Sequence, residues 1–287
     1  MPRRFLNLAN RLFTLVISLV LVIAVLYAGY ALWDNKQIYA SAKNHLDDVI
    51  SKEELAETLQ TLETSETPHR ISSDADTGED SGRSEETGKE ETKLEKMFRE
   101  LKDINEDIGA WITMPGTAIN YAVVQGNSNI KYVSTDIYGN FAIVGSIFLD
   151  SRNQADYSDT YNLLYGHNMS EHRMFSDVNL YKEEENFNKN QKGYIYLPTG
   201  AHWLQTVSVI VTPASNSWMF NPQSWSEITP EQMFELVQTD ALFISEDGMK
   251  VLNEKIKAGE LPRIVALSTC SNEFTDARTI LLTVIDP

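Results

Sequence analysis

Two apolar stretches near the C-terminus decide the fold: residues 263–270 read RIVALSTC, and residues 278–285 read RTILLTVI. Both are rich in aliphatic and β-branched residues, and a polar connection of seven residues separates them. This pattern is typical of two adjacent strands. If the strands pair antiparallel, Cys270 and Arg278 lie at the same end of the sheet. The sequence therefore predicts that the only cysteine of the chain lies beside a permanent positive charge.

A cysteine in this position has two interpretations. A neighbouring cation favours the nucleophilic thiolate, and a guanidinium can donate hydrogen bonds to an oxyanion that forms on an attacked carbonyl. Alternatively, Cys270 is a small buried hydrophobic residue and Arg278 a surface residue. A histidine elsewhere in the chain must decide between them.

Of the five histidines, only His167 follows a convincing strand, Tyr161–Tyr165. Gly166 directly before it permits an unusual backbone conformation or a close approach. A cysteine, a histidine and an arginine at strand ends are the nucleophile, proton shuttle and oxyanion stabiliser that covalent acyl chemistry needs. Cys270, His167 and Arg278 are therefore the candidate catalytic residues, but the sequence alone does not show that they meet in space.

Metal binding is the competing use of the histidines. His167 and His172 are five residues apart, which is not a helical i, i+4 pair, and Cys270 is distant in sequence. Because no ligand spacing matches a known zinc site, we expect no metal, and covalent acyl chemistry requires no cofactor.

Composition limits the partners. The chain has 287 residues and a net charge of −17, which argues against nucleic acid or an anionic membrane surface as the main partner. A single cysteine excludes an internal disulfide framework. It is compatible with a reducing compartment or with a secreted protein that lacks disulfides.

The N-terminus indicates a membrane anchor. Residues 13–33 carry no charge, and about 20 apolar residues cross the hydrocarbon core as a helix. Arginines precede the run and an aspartate follows it, which places residues 1–12 in the cytoplasm and the remainder outside the cell. The alternative is a cleaved signal peptide, but the run is long for one and has no clear cleavage site.

Three regions follow the anchor. Residues 34–65 have helical periodicity and predict a helix that forms an extracellular stalk or packs on the domain behind it. Residues 66–92 are acidic, poor in apolar residues and predicted to be a disordered linker. The stalk and linker together occupy residues 34–93, and residues 94–287 form the catalytic domain.

The catalytic domain is predicted to be mostly β with helical insertions, in a barrel or closed sheet. An amphipathic helix is predicted over residues 93–105, and one or two helices over residues 229–257, with Thr229 as N-cap and Pro230 at the first position. The predicted strands cover residues 110–112, 121–124, 146–149, 161–165, 194–197 and 203–211 and the two closing runs.

Several motifs in this order resemble sortases, the cysteine transpeptidases of Gram-positive surfaces. Leu267-Ser268-Thr269-Cys270 followed by Arg278 resembles the signature of the family, and Tyr165-Gly166-His167-Asn168-Met169 with Met174-Phe175 resembles the histidine block of class B. Residues 104–112, 116–121 and 145–150 extend the similarity, which covers roughly residues 94–285.

The resemblance implies a sortase barrel with a long helix before the cysteine strand, and it implies roles for single residues. Cys270 would attack the carbonyl of the threonine in a C-terminal sorting signal and form a thioacyl-enzyme. His167 would transfer protons, and Arg278 would hold the substrate and stabilise the oxyanion. Ser268, Thr269 and Asn129 would line the substrate groove.

The implied activity is transfer of secreted proteins to a peptidoglycan amine, by an enzyme held in the membrane through its N-terminal helix. One alternative is a pilin-polymerising sortase; such relatives commonly carry a lid segment and a second C-terminal span, and this sequence ends without one. The other alternative is a catalytically silent anchored binding domain that keeps the fold.

Overall fold

The structure is a computed structural model, and it describes Arg11, residues 13–30 and residues 92–286. Phe13–Tyr30 forms an exposed helix that is long and apolar enough to cross a membrane, by length and composition. The last three residues of the predicted anchor, the predicted stalk helix and nearly all of the predicted acidic linker lie outside the described residues.

Helix α1, Lys93–Ile104, begins the globular domain where the periodicity predicts a helix. Its N-terminus is a capping box: the Glu95 amide donates to Thr92 Oγ1 at 3.2 Å, and the Thr92 amide donates to the Glu95 carboxylate at 2.8 Å. Met97, Phe98 and Leu101 are buried on one face, in a cluster with aromatic side chains of the sheet. The helix therefore covers one side of the barrel.

Eleven strands lie in the described part of the chain. They are β1 Ile108–Thr113, β2 Asn120–Val124, β3 Ile147–Leu149, β4 Tyr161–Tyr165, β5 Asn168–Met169, β6 Arg173–Met174, β7 Lys192–Leu197, β8 Gly200–Pro213, β9 Ala241–Ile244, β10 Ile264–Cys270 and β11 Ala277–Asp286. Short 3₁₀ helices span Lys131–Val133, Ser176–Lys182 and Pro222–Trp225, and the short helices α2 Glu184–Lys189 and α3 Ser217–Phe220 lie in loops.

Eight of these strands close into a barrel, in the order β11-β10-β4-β3-β2-β1-β7-β8, and pairing of β8 with β11 completes the ring. Neighbouring strands are antiparallel except β10 with β4 and β2 with β3. The predicted mostly β fold with a closed sheet is confirmed.

The two closing strands are apolar throughout because both of their faces are buried. On β10, Val265 and Leu267 belong to the barrel interior, whereas Ile264 and Ala266 belong to a second cluster outside it. Alternation of side chains along a strand produces this division. A strand that is covered on both sides reads as a continuous hydrophobic run, which is the pattern that the sequence displays.

The outer cluster is covered by the segment before β10. Helix α4, Pro230–Gln238, begins with the predicted N-cap Thr229, and helix α5, Glu246–Lys257, immediately precedes the β10 region. The implied long helix is thus two helices, with strand β9 between them on the edge of β8. Asp240 has a φ of 58°, and this left-handed residue redirects the chain from α4 into β9. The sequence pattern does not predict β9.

Candidate active site

The β10–β11 ladder brings Cys270 and Arg278 together. They are opposite each other as the last pair of the antiparallel register, which confirms the predicted pairing of these two positions. The Ser271 amide donates to the Ala277 carbonyl at 3.0 Å, so the turn closes directly beyond the pair. Cys270 is exposed, and its thiol is therefore accessible rather than part of the core.

Parallel pairing of β4 with β10 brings His167 to the same end of the barrel. The last pair of that register joins Tyr165 to Ser268, and the Gly166 amide donates to the Ser268 carbonyl at 3.1 Å. His167 and Cys270 each follow this pair by two residues, so they leave the sheet side by side. A parallel register thus unites two residues that are distant in sequence.

Gly166 is required by close packing. A Cβ at this position would lie 2.5 Å from Ile147 Cδ1 and 2.6 Å from Phe175 Cγ, which is closer than real Cβ contacts. The expectation of a close approach before the histidine is therefore confirmed.

The imidazole of His167 is oriented by the loop between β2 and β3. Its Nε2 lies 2.9 Å from the carbonyl oxygen of Val133. Since a carbonyl oxygen only accepts, Nε2 carries the hydrogen, and Nδ1 is the basic nitrogen when the ring is neutral. One ring nitrogen therefore holds the ring in place while the other is able to accept a proton.

The guanidinium of Arg278 is half-buried, and its Nη1 donates to the Ala277 carbonyl at 3.0 Å. Within residues 92–286, no carboxylate forms an ion pair with it. Its positive charge is therefore not neutralised locally by an acidic side chain.

A cavity of about 320 Å³ joins these side chains. Its lining combines the three predicted catalytic residues, two predicted substrate-binding residues and a largely apolar wall: Val133, Phe148, Tyr165, Gly166, His167, Ala214, Phe220, Ser268, Thr269, Cys270 and Arg278. Such a cavity can accept an extended peptide and place one of its carbonyl groups near the thiol.

Ser268 and Thr269 differ in what their hydroxyls contact. The Ser268 hydroxyl is buried and has no hydrogen-bond partner among the described residues. The Thr269 hydroxyl donates to the Gly166 carbonyl at 3.0 Å and so ties β10 to the end of β4. Ser268 therefore has an unused hydroxyl buried behind the cavity surface, whereas Thr269 supports the backbone before His167.

Asn129 is not among the residues that line this cavity. Its Nδ2 donates to Asp150 Oδ2 at 2.8 Å, and its Oδ1 accepts from the Ser151 amide at 2.7 Å. Both ends of its amide are thus used within the protein, and its predicted contact with substrate stays a prediction.

The carboxylate of Asp150, which accepts from Asn129, also holds residues of the apolar wall of the cavity. Asp150 is fully buried and accepts from Arg152 at 2.7–2.8 Å and from the Tyr165 hydroxyl at 3.1 Å. Arg152 also donates to the Phe220 carbonyl at 2.8 Å. Burial alone would raise the pKa of Asp150, but hydrogen bonds from Arg152 and Asn129 hold that pKa below its usual value. This network joins two lining residues, Tyr165 and Phe220.

Sequence reasoning missed the apolar wall. Tyr165 and Phe148 stack with ring centroids 5.1 Å apart, and both occur in motifs that carry the family resemblance, so that signal was available. Val133 and Phe220 end short helices and Ala214 directly follows β8, and no local pattern predicts that these residues meet at the cavity. Within the described ranges, no group of three or more histidine, cysteine or acidic side chains is placed to hold a metal ion.

Comparisons with known proteins show what the chain as a whole is similar to. No family model matches the chain. Sortase B of Staphylococcus aureus is 27% identical over 197 residues, which cover 68% of this chain and 76% of the relative.

Solved structures are also similar. A class B sortase of Streptococcus pyogenes involved in pilus biogenesis superposes with a TM-score of 0.59 at 30% identity, covering 66% of this chain and 97% of the other. A Staphylococcus aureus sortase B–substrate complex gives 0.57 at 25% identity, covering 67% and 85%. Sortase B complexed with triglycine gives 0.56 at 26% identity, covering 67% and 86%. The closed barrel, the cysteine, histidine and arginine at one cavity, and these relatives establish that the chain belongs to the class B sortases, a family of cysteine transpeptidases.

Proposed function

We propose that this protein cleaves the C-terminal sorting signal of secreted proteins after threonine and transfers them to a peptidoglycan amine. The observation that carries the proposal is that Cys270, His167 and Arg278, at the ends of three adjacent strands, line one cavity. The thiol is exposed to the cavity, a basic ring nitrogen lies on the neighbouring strand, and an unneutralised cation lies opposite. These are the parts of a two-step acyl transfer.

In the first step, Sγ of Cys270 attacks the carbonyl carbon of the threonine while its proton passes to His167. Negative charge develops on the carbonyl oxygen, where the guanidinium of Arg278 stabilises it. The C–N bond then breaks, His167 returns the proton to the leaving amine, and a thioester remains on Cys270. His167 is thus general base and then general acid.

In the second step, an amine of the cell wall attacks the thioester. His167 takes a proton from the attacking nitrogen, the C–S bond breaks, and the new amide leaves. The proton then passes from His167 to the sulfur and restores the Cys270 thiol. One sortase B structure is complexed with triglycine and another with a substrate, which supports a peptide amine as acceptor and a peptide as donor. No net oxidation or cofactor is needed.

Substrate recognition involves the edge of β10 in this proposal. Ser268 lines the cavity and contacts the bound peptide in this proposal, and Thr269 supports the cavity floor. Asn129 lies outside the cavity lining, so it would contact only a peptide that extends beyond the cavity. Tyr165 and Phe148 offer an apolar surface for side chains of the sorting signal.

The proposed placement is type II. Residues 1–12 are cytoplasmic, residues 13–33 anchor the protein, residues 34–93 are stalk and linker, and residues 94–287 act outside the cell. The exposed apolar helix Phe13–Tyr30 supports the anchor, and the arginines before it support the orientation.

The test uses the full-length protein in detergent with a library of quenched sorting-signal peptides, followed by intact mass spectrometry. We expect an adduct on Cys270 whose mass equals the peptide truncated after threonine, and no adduct in Cys270→Ala. A folded protein with a reactive thiol that forms no adduct with any peptide would contradict acyl transfer and favour a silent binding domain.

Pilin polymerisation is the second candidate, since the similar Streptococcus pyogenes sortase is involved in pilus biogenesis. The two candidates differ in the acceptor amine. Competition between a triglycine peptide and a lysine-containing peptide for the thioacyl-enzyme distinguishes them. Preferential transfer to the lysine side chain would favour polymerisation.

A further inference from the structure

One side chain bridges the two strands that carry Cys270 and Arg278. Asn179 lies in the 3₁₀ helix Ser176–Lys182. Its Nδ2 donates to the backbone carbonyl of Cys270 at 3.2 Å. Its Oδ1 accepts from the hydroxyl of Thr279, the residue after Arg278, at 2.7 Å. A single amide therefore contacts β10 and β11 at the position of the Cys270–Arg278 pair.

The Cys270 carbonyl needs a donor because β4 has ended. In a strand, carbonyls of residues two apart point to the same side. The Ser268 carbonyl accepts from the Gly166 amide, and the Ser268–Tyr165 pair is the last of the parallel register. The carbonyl of Cys270 is the next on that side and lies beyond the ladder. Asn179 replaces the missing strand at this point.

Thr279 fixes which end of the amide faces Cys270. Its side chain is buried, and it lies opposite Thr269 in the β10–β11 register. A hydroxyl that donates to Oδ1 leaves Nδ2 directed to the Cys270 carbonyl. The orientation of the Asn179 amide is therefore set by Thr279, whose buried side chain has little conformational freedom.

The segment that carries Asn179 also contacts His167 and the loop after Cys270. The Phe175 amide donates to the His167 carbonyl at 3.0 Å, at the start of the segment. At its end, Lys182 forms an ion pair with Glu273. The segment thus connects the backbone of the histidine to the backbone of the cysteine.

We propose that Asn179 is a positioning residue that holds the backbone of Cys270 in register with His167, and that Thr279 acts through it. This inference rests on the proposed acyl transfer. Asn179 acts on the main chain of Cys270 and not on the substrate. A displacement of about 1 Å in a reacting group costs up to about a hundredfold in rate, so a loosened β10 end affects acylation more than it affects peptide binding.

The test measures transpeptidation by the full-length protein in detergent for wild type, Asn179→Ala and Asn186→Ala. Asn186 is a half-buried amide, like Asn179, and it donates to Glu183 at 2.9 Å away from the cavity, so its variant is the matched control. We expect kcat of Asn179→Ala to fall about tenfold or more with KM nearly unchanged, and the control to match wild type. Alkylation of Cys270 by iodoacetamide requires a thiolate but no alignment with His167, so its rate should change far less than kcat.

Thr279→Val provides the second measurement and remains decisive if Asn179→Ala does not fold. Removing the hydroxyl that donates to Asn179 should lower kcat too, by a smaller factor than Asn179→Ala does. The double variant should be no slower than Asn179→Ala, because Thr279 acts through Asn179.

Two results would overturn the inference. Unchanged kcat in both single variants of an active enzyme would remove the positioning role and leave the proposed function intact. Equal losses in kcat and alkylation would indicate general disturbance of the site. A wild-type protein that forms no thioacyl adduct would overturn the proposed function itself.

Discussion

Val133 and His167 are joined by a hydrogen bond of 2.9 Å between a main-chain carbonyl and Nε2. The loop between β2 and β3 therefore determines which nitrogen of the candidate general base carries the hydrogen. That loop supplies none of the three proposed catalytic side chains, but its backbone orients one of them.

Replacing His167 by glutamine should lower the rate of thioacyl formation by about 10²–10⁴-fold, because the amide cannot transfer a proton. His172→Gln is the control, since His172 lies in the adjacent β5–β6 hairpin and contacts Asp177 rather than the cavity. Rapid-quench mass spectrometry of the adduct measures both rates. A His167→Gln rate close to that of the control would contradict the role.

Gly145→Ala should disturb the Val133–His167 contact. Gly145 has a φ of 59°, and a Cβ there would lie 2.4 Å from the Tyr132 carbonyl oxygen and 2.5 Å from that of Val133. The backbone must move, so we expect a lower kcat as well as lower stability.

Gly139→Ala is the matched control for this change. Gly139 has a φ of 80°, and a Cβ added there would have no atom within 4 Å, so this variant should lose only about 1–2 kcal/mol of stability through backbone strain. Steady-state kinetics and urea unfolding separate the two variants. Equal kcat values in both would show that the Val133 carbonyl is not needed.

Arg278→Lys should lower kcat/KM by about 10²-fold, and Arg278→Ala by at least as much. Lysine keeps the charge but loses the planar fork of donors that can face an oxyanion. Arg173→Lys, in the β5–β6 hairpin, controls for a change of cation elsewhere on the surface. Full activity of Arg278→Lys would show that charge alone suffices.

Arg152→Ala should destabilise the domain by about 3 kcal/mol, because it leaves the buried Asp150 carboxylate without its main partner. Asp150→Asn in the same chain should restore part of that loss. Lys96→Ala, which removes an exposed pair with Glu100 at 3.9 Å, should cost no more than about 0.5 kcal/mol. Urea unfolding followed by tryptophan fluorescence compares the free energies. Equal effects of the two single variants would contradict the burial argument.

The loop after Cys270 should make stability depend on pH. Burial alone would raise the pKa of Glu273, but the hydrogen bond and positive charge of Lys182 outweigh this effect and lower that pKa to about 2. The carboxyl group has a pKa of 4.5 in the unfolded chain. Because folding lowers this pKa, the ionised carboxylate stabilises the folded state at pH values above 4.5, and this stabilisation is lost as the pH falls toward 2.

Glu273→Gln should therefore reduce the slope of unfolding free energy against pH between about 4.5 and 2. Glu171→Gln is the control, because Glu171 is an exposed carboxylate of the β5–β6 hairpin. High salt should weaken the difference, since the Lys182–Glu273 pair is partly exposed. Parallel slopes for wild type and Glu273→Gln would exclude the contribution.

Local sequence patterns were sufficient to predict those features of the structure that depend on residues close together in the sequence. The alternation and length of the apolar runs predict the strands of the barrel, Thr229-Pro230 predicts the start of α4, and the short link between the last two strands predicts that Cys270 faces Arg278. These are contacts over a few residues, where periodicity and capping leave few alternatives.

The tertiary structure decided the contacts that depend on how strands far apart in sequence are paired. His167 lies at the same cavity as Cys270 only because β4 and β10 are parallel and run toward the same end of the barrel. Asn129 contacts Asp150 because the β2–β3 loop folds onto that end of the barrel. Asn179 contacts Cys270 only because β4 stops short of it. The sequence by itself determined the elements and the candidate chemistry; closure of the sheet determined which side chains meet, because pairing partners far apart along the chain leave no local signal.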